Sequence, residues 1–201
     1  GCRHGPPPSR HNRVMTPSNA FRSSVAELAD LLKRCDALTP SVEAMGQLMM
    51  GCWDAGGKVL FAGNGGSAAD AMHFAEELVV RYRRNRRALA ALALCDPTAI
   101  TCAGNDMGFE NIFARQVDAL ARPEDVFVAI TTSGNSPNIL AACEIARVRG
   151  TKIVGLLGRK GGALKGRCDV EVIVPSDNTA RIQEVHKLLF HSLCDWIDEV
   201  V

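Results

Sequence analysis

Five short apolar runs, set between turn-forming residues and mostly separated by segments of helical period, restrict this chain to one class of architecture. They are Lys58–Gly63, Ala88–Leu94, Asp125–Thr131, Thr151–Leu157 and Asp169–Val174. A strand that is apolar along most of its length is buried on both faces, and such strands belong to parallel sheets. Strands alternating with helices predict an α/β domain with helices on both faces of the sheet. Two helices precede the first strand. After Ala20, Val25, Leu28, Leu31 and Leu32 share one helical face. Thr39-Pro40 opens the second helix with proline at its first position. The apolar stripe of that helix is Val42, Met45, Leu48, Met49 and Cys52, and Gly56-Gly57 ends it. Thr179–Val201 reads as one long amphipathic helix.

Residues 1–19 do not share this pattern. They hold four prolines, two histidines, three arginines and no acid. No apolar stretch follows them as in a secretory signal, and the proline run opposes the amphipathic helix of a transit peptide. The segment is expected to be a flexible tail ahead of a domain spanning residues 20–201, with Met15 a more natural start than Gly1.

Charge and cysteine usage exclude several function classes. With 23 basic and 22 acidic residues the net charge is +1, which draws the protein to neither nucleic acid nor an anionic membrane. No uncharged apolar run reaches the roughly 18 residues of a membrane helix. The eight cysteines include no CxxC pair. In a chain of 201 residues with no secretory leader they are expected to be reduced and mostly buried, in a cytoplasmic protein.

Two strand-to-helix turns carry the chemistry. The first is Ala62-Gly63-Asn64-Gly65-Gly66-Ser67, and the second is Thr131-Thr132-Ser133-Gly134-Asn135-Ser136-Pro137. Glycines admit an anion close to the backbone, hydroxyls add donors, and the following helix offers unpaired N–H groups at the positive end of its dipole. Ser136-Pro137 has the form of an N-cap followed by a first-position proline. Either turn alone serves equally as a plain connection; two together favour phosphate binding. No Lys-Ser/Thr follows the glycines and no G-x-G-x-x-G is present, so a small phosphorylated metabolite is expected rather than a nucleotide.

His73 and Glu77 sit four residues apart on the helix after the first turn and share a face, as a metal pair or an acid/base pair would. The last helix adds Gln183, Glu184, His186 and His191 among apolar neighbours, where a histidine is commonly a core residue. Gln183 and His191 are about 12 Å apart along that helix. Five arginines fall within residues 81–87. Without aromatic interleaving beyond Tyr82 they read as a solvated helix end, or as sugar-phosphate or subunit contacts, rather than a nucleic-acid patch.

The segments FAGNGGSAADAMHFAEEL, CAGNDMGFENIFARQV, TTSGNSPNIL and ARIQEVHKLLFHSLCDWID together resemble the phosphoheptose isomerase family of the sugar isomerase (SIS) superfamily, from about Ala20 to Val201. The resemblance implies a flavodoxin-like three-layer α/β/α sandwich with a five-stranded parallel sheet. It also implies a homotetramer with active sites between subunits, and interconversion of sedoheptulose 7-phosphate and D-glycero-D-manno-heptose 7-phosphate, a step toward bacterial surface polysaccharide. Its substrate contacts fall on Asn64, Gly65, Gly66, Asn105, Asp106, Thr131, Thr132, Ser133 and Ser136, with Glu77 and Gln183. Its zinc positions, one ion per subunit, fall on His73, Glu77, Gln183 and His191. Glu77 is its base and His191 its acid/base. Thr131-Thr132-Ser133 replaces the family's usual Ser-Thr-Ser and keeps the hydroxyls. Two other readings remain: a non-catalytic relative of the DnaA initiator-associating type, and an isomerase or sensor of another sugar phosphate. Zinc bonds are only about 2 Å long. Gln183 and His191 are therefore hard to satisfy with one ion, and at least one of them is expected to complete the site of a neighbouring subunit.

Overall fold

The computed structural model describes residues 15–201, so most of the expected tail lies outside the described residues. Helix α1 (Pro17–Cys35) starts three residues before the expected boundary at Ala20, because Thr16 caps it through the amide of Asn19 and Pro17 supplies a preset first turn. Helix α2 (Thr39–Asp54) starts at Thr39 as expected, and Gly56, at φ +78°, follows its end. Then come β1 (Val59–Gly63), α3 (Gly66–Val79), β2 (Ala91–Ala93), α4 (Pro97–Met107), α5 (Ala114–Leu120), β3 (Val126–Thr131), α6 (Pro137–Val148), β4 (Lys152–Gly158), β5 (Val170–Val174) and α7 (Thr179–Val200).

All five strands are parallel, in the order β2-β1-β3-β4-β5. Every residue of β1 and β3 is buried, which accounts for their unbroken apolar character. The second strand is shorter than the expected Ala88–Leu94. Its run is edge-placed and only half-buried. The carbonyl of Ala90, just before it, accepts from Val59 N and from the Trp53 indole.

Alternate strand residues feed two cores. Val59, Phe61, Val128, Ile130 and Val154 pack with Leu31, Met49, Phe74, Ile182 and Phe190, placing α1, α2, α3 and α7 on one face. Leu60, Ala62, Phe127, Ala129 and Leu157 pack with Val117, Ile139, Ala142 and Ala146 on the other, under α4, α5 and α6. The stripe expected on α1 is covered only in part. Leu31 is buried, whereas Val25 and Leu32 are exposed together with Phe21.

Three aromatic rings decide how α3 and α7 meet. Phe74 and Phe190 stack with centroids 3.9 Å apart, and each meets Phe61 of β1 edge-on. The edge-on contacts have the geometry that the ring quadrupoles favour. The two helices run side by side in the same direction. Gly66 faces Gln183, Asp70 pairs with Lys187 at 3.1 Å, and His73 meets His191.

Candidate active site

The sheet order reverses at β1, whose neighbours β2 and β3 lie on opposite sides. The chain leaves β1 for α3 on one face and leaves β3 for α6 on the other. A crevice opens at the carboxyl ends of strands where such a reversal occurs, and that is where ligands bind in open α/β sheets. Both glycine- and hydroxyl-rich turns flank this crevice. Asn64 of the first turn and the buried Asn138 of α6 exchange two carboxamide hydrogen bonds, of 2.9 and 2.8 Å, across it. Asn138 was not singled out from the sequence; its only signal is an amide in the first turn of α6, ahead of the apolar run Ile139–Cys143.

In the second turn the Thr131 hydroxyl lies 3.1 Å from Ser136 Oγ and 3.4 Å from Ser133 Oγ, forming a cup of three hydroxyls. Ser136 is the N-cap residue of α6, and Pro137 follows at the first helical position. Its hydroxyl makes no capping bond and turns into the cup instead. Gly134 adopts φ +66°, and an added Cβ there would run into the Gly161 carbonyl. Leu164 N donates to the Gly134 carbonyl and Ala163 N to Asn135 Oδ1, so the 161–164 loop braces the turn from behind. Gly65 enters α3 at φ +55°, a conformation open mainly to glycine. A Cβ on Gly66 would lie 2.6 Å from the Gln183 amide nitrogen.

Further along the same seam, Glu77 Oε1 stands 3.0 Å from His73 Nε2. The His191 ring lies 5.1 Å from that of His73 and stacks on Tyr82. One ligand atom from each of His73, Glu77 and His191 falls within 4.8 Å of the others, and all three residues are half-buried. His191 thus joins the trio from its own chain. Gln183 lies apart, against Gly66. Because α3 and α7 run in the same direction, two α7 residues about 12 Å apart meet two α3 positions separated by about 10 Å. Asn105 and Asp106 form a hydrogen-bonded pair in the last, exposed turn of α4. No hydrogen bond found among the described residues joins them to either turn.

His186, noted only as a polar interruption of α7, is buried and hydrogen-bonded at 2.9 Å to the Leu157 carbonyl at the end of β4. Burial pushes its imidazole down to about 4, so the ring is neutral and anchors α7 to the sheet beside Thr131. Burial also pushes the Cys143, Cys168 and Cys194 thiols up to about 12. All seven cysteines among the described residues are free thiols, and four of them are half-buried or exposed. No helix among the described residues is long and apolar enough to cross a membrane.

A parallel sheet of this order with two glycine- and hydroxyl-bearing turns at its reversal point is the arrangement of a sugar isomerase domain, and the model of the SIS domain family matches residues 24–158. The phosphoheptose isomerase of Paramagnetospirillum magneticum is 54% identical over 162 residues, 79% of this chain and 84% of that protein. Phosphoheptose isomerase 1 of Campylobacter jejuni is 48% identical over 90% of this chain and 98% of its own length. The structure of phosphoheptose isomerase from Neisseria gonorrhoeae superposes with a TM-score of 0.87 at 41% identity, covering 92% of this chain and 100% of that one. The chain belongs to the phosphoheptose isomerase family.

Proposed function

We propose that this protein interconverts sedoheptulose 7-phosphate and D-glycero-D-manno-heptose 7-phosphate, supplying heptose for surface polysaccharide. The observation that carries this reading is the meeting of Glu77, His73 and His191 along the seam that starts at the first of two phosphate-type turns. Ketose-to-aldose exchange needs a base that removes a proton from C1 and returns it to C2. It also needs an acid/base that protonates O2 and takes the proton from O1. Glu77 fills the first role through an enediol and His191 the second. The hydroxyls of Thr131, Ser133 and Ser136, the main chain of Thr132, and Asn64, Gly65 and Gly66 would hold the phosphate. The distance along α3 from Gly66 to His73, about 10 Å, suits an extended heptose phosphate with its carbonyl end at the trio. Gln183, whose amide lies at Gly66, would contact the substrate at its phosphate end. A non-catalytic partner-binding protein has no use for such a trio, which favours an enzyme over the DnaA initiator-associating type of relative.

Two imidazoles and a carboxylate are a donor set that suits zinc, so His73, Glu77 and His191 would hold the ion, one per subunit. Gln183 is less suited to that shell, since its amide lies at Gly66. A bound zinc would polarise the substrate carbonyl. The protein is further proposed to be a homotetramer with its sites between subunits, in which the exposed Asn105 and Asp106 reach a neighbour's substrate.

Incubation with sedoheptulose 7-phosphate followed by NMR of the products tests the reaction. The wild type should form the aldose, and Glu77→Gln should lower kcat by at least about 100-fold at unchanged fold. Wild-type turnover by Glu77→Gln would remove Glu77 from the base role. Turnover of another sugar phosphate alone would reassign the substrate.

A further inference from the structure

The arginine-rich segment has no part in the chemistry above, yet one of its members is among the most buried charges of the protein. The Arg86 side chain is 3% exposed and that of its partner Asp198 is 4% exposed. Arg86 Nε donates to Asp198 Oδ1 at 3.0 Å. Its Nη1 donates to the carbonyls of Leu78 and Arg87, at 3.0 and 2.9 Å, and its Nη2 to the carbonyl of Glu77 at 2.7 Å. Asp198 Oδ2 accepts the amides of Arg83 and Arg84, both at 2.8 Å. Burial favours the neutral acid, but those amides and the guanidinium together hold the Asp198 carboxyl below the ordinary carboxylate value. The pair is therefore ionic.

Stability does not explain such a pair, since buried ion pairs commonly gain little over apolar replacements of the same volume. Its geometry has a clearer consequence. The last four carbonyls of a helix have no partner within it, and Arg86 binds two of the carbonyls at the end of α3 while anchored on α7. One of the two belongs to Glu77. The anchor, Asp198, lies two turns beyond His191 on the same helix. We propose that Arg86 is a positioning residue for the isomerisation: it fixes α3 against α7 and so sets Glu77, with His73, relative to His191. This rests on the assignment of Glu77 and His191 as the reacting pair.

Misplacing a reacting group by about 1 Å can cost about 100-fold in rate. Lysine keeps the charge at position 86 but not the planar fork. Arg86→Lys and Asp198→Asn should therefore lower kcat by at least about ten-fold and leave KM for sedoheptulose 7-phosphate within about three-fold. Crystal structures of both variants should show the contact between the α3 pair and His191 opened, with Glu77 and His73 displaced from the His191 ring. Unchanged kcat with the contact intact would overturn the proposal. So would a kcat loss that only follows a loss of assembly or of melting temperature, or the precipitation of both variants, since the pair would then be needed for folding. If the wild type is inactive but the variants still show Glu77 displaced, the reading of the reaction falls and the positioning role stands.

Discussion

A single neutral histidine ties the site helix to the sheet, and its ionisation sets a limit on stability in acid. The ordinary histidine value is about 6.5, and burial holds His186 at about 4. Between those values the unfolded chain binds a proton that the folded protein does not. Stability is therefore complete above the upper value and is lost as pH falls toward the lower one. The loss amounts to about 3 kcal/mol. His186→Gln, which keeps a donor for the Leu157 carbonyl, should flatten this part of the stability–pH curve in urea titrations made on both sides of the window. An unchanged slope would mean that another group titrates there. Helical pattern alone did not separate this histidine from His191, five positions later on the same helix; only the family resemblance did. Its neighbours in space, Leu157 and Asp70, come from β4 and α3, and no local pattern announces them.

At the scale of elements, β1 and β3 were legible because burial on both faces leaves no polar position in a strand. The turns were legible because glycine and hydroxyl residues gather there for backbone reasons. The seam between α3 and α7 was not. Asp70 with Lys187, Phe74 with Phe190, and Arg86 with Asp198 are each separated by more than 100 residues. Helical period shows which face of each helix is apolar, not which two faces meet. Gly134 links turn chemistry to packing most sharply. Gly134→Ala would combine a positive φ with a collision at the Gly161 carbonyl. It should lower the unfolding free energy by about 2 kcal/mol and raise KM for the sugar phosphate as the cup is pushed out of shape. A urea midpoint equal to wild type would show that the 161–164 loop yields without cost.

At the scale of the molecule, the first helix turns apolar side chains outward. Phe21 is 70% and Val25 51% exposed, on the same side of α1 as Leu32. Such a stripe needs cover, and further copies of the chain would supply it under the proposed tetramer. Phe21→Glu with Val25→Glu should then shift the light-scattering mass toward monomer and remove activity. A fully active monomer would exclude sites shared between subunits. The order in which the molecule can assemble follows from its topology. Strand β1 pairs with β3, whose first residue, Val126, stands 67 positions after Val59, and the trio closes only with His191, ten residues before the end of the sequence. During synthesis the centre of the sheet must wait for β3, and the reactive site must wait for α7. A chain cut short after Asn178 would hold all five strands and still expose the face that Ile182, Val185 and Phe190 cover. Such unfinished chains should pellet with aggregates rather than remain as soluble, inactive protein. Catalysis would then report on a chain that carries α7.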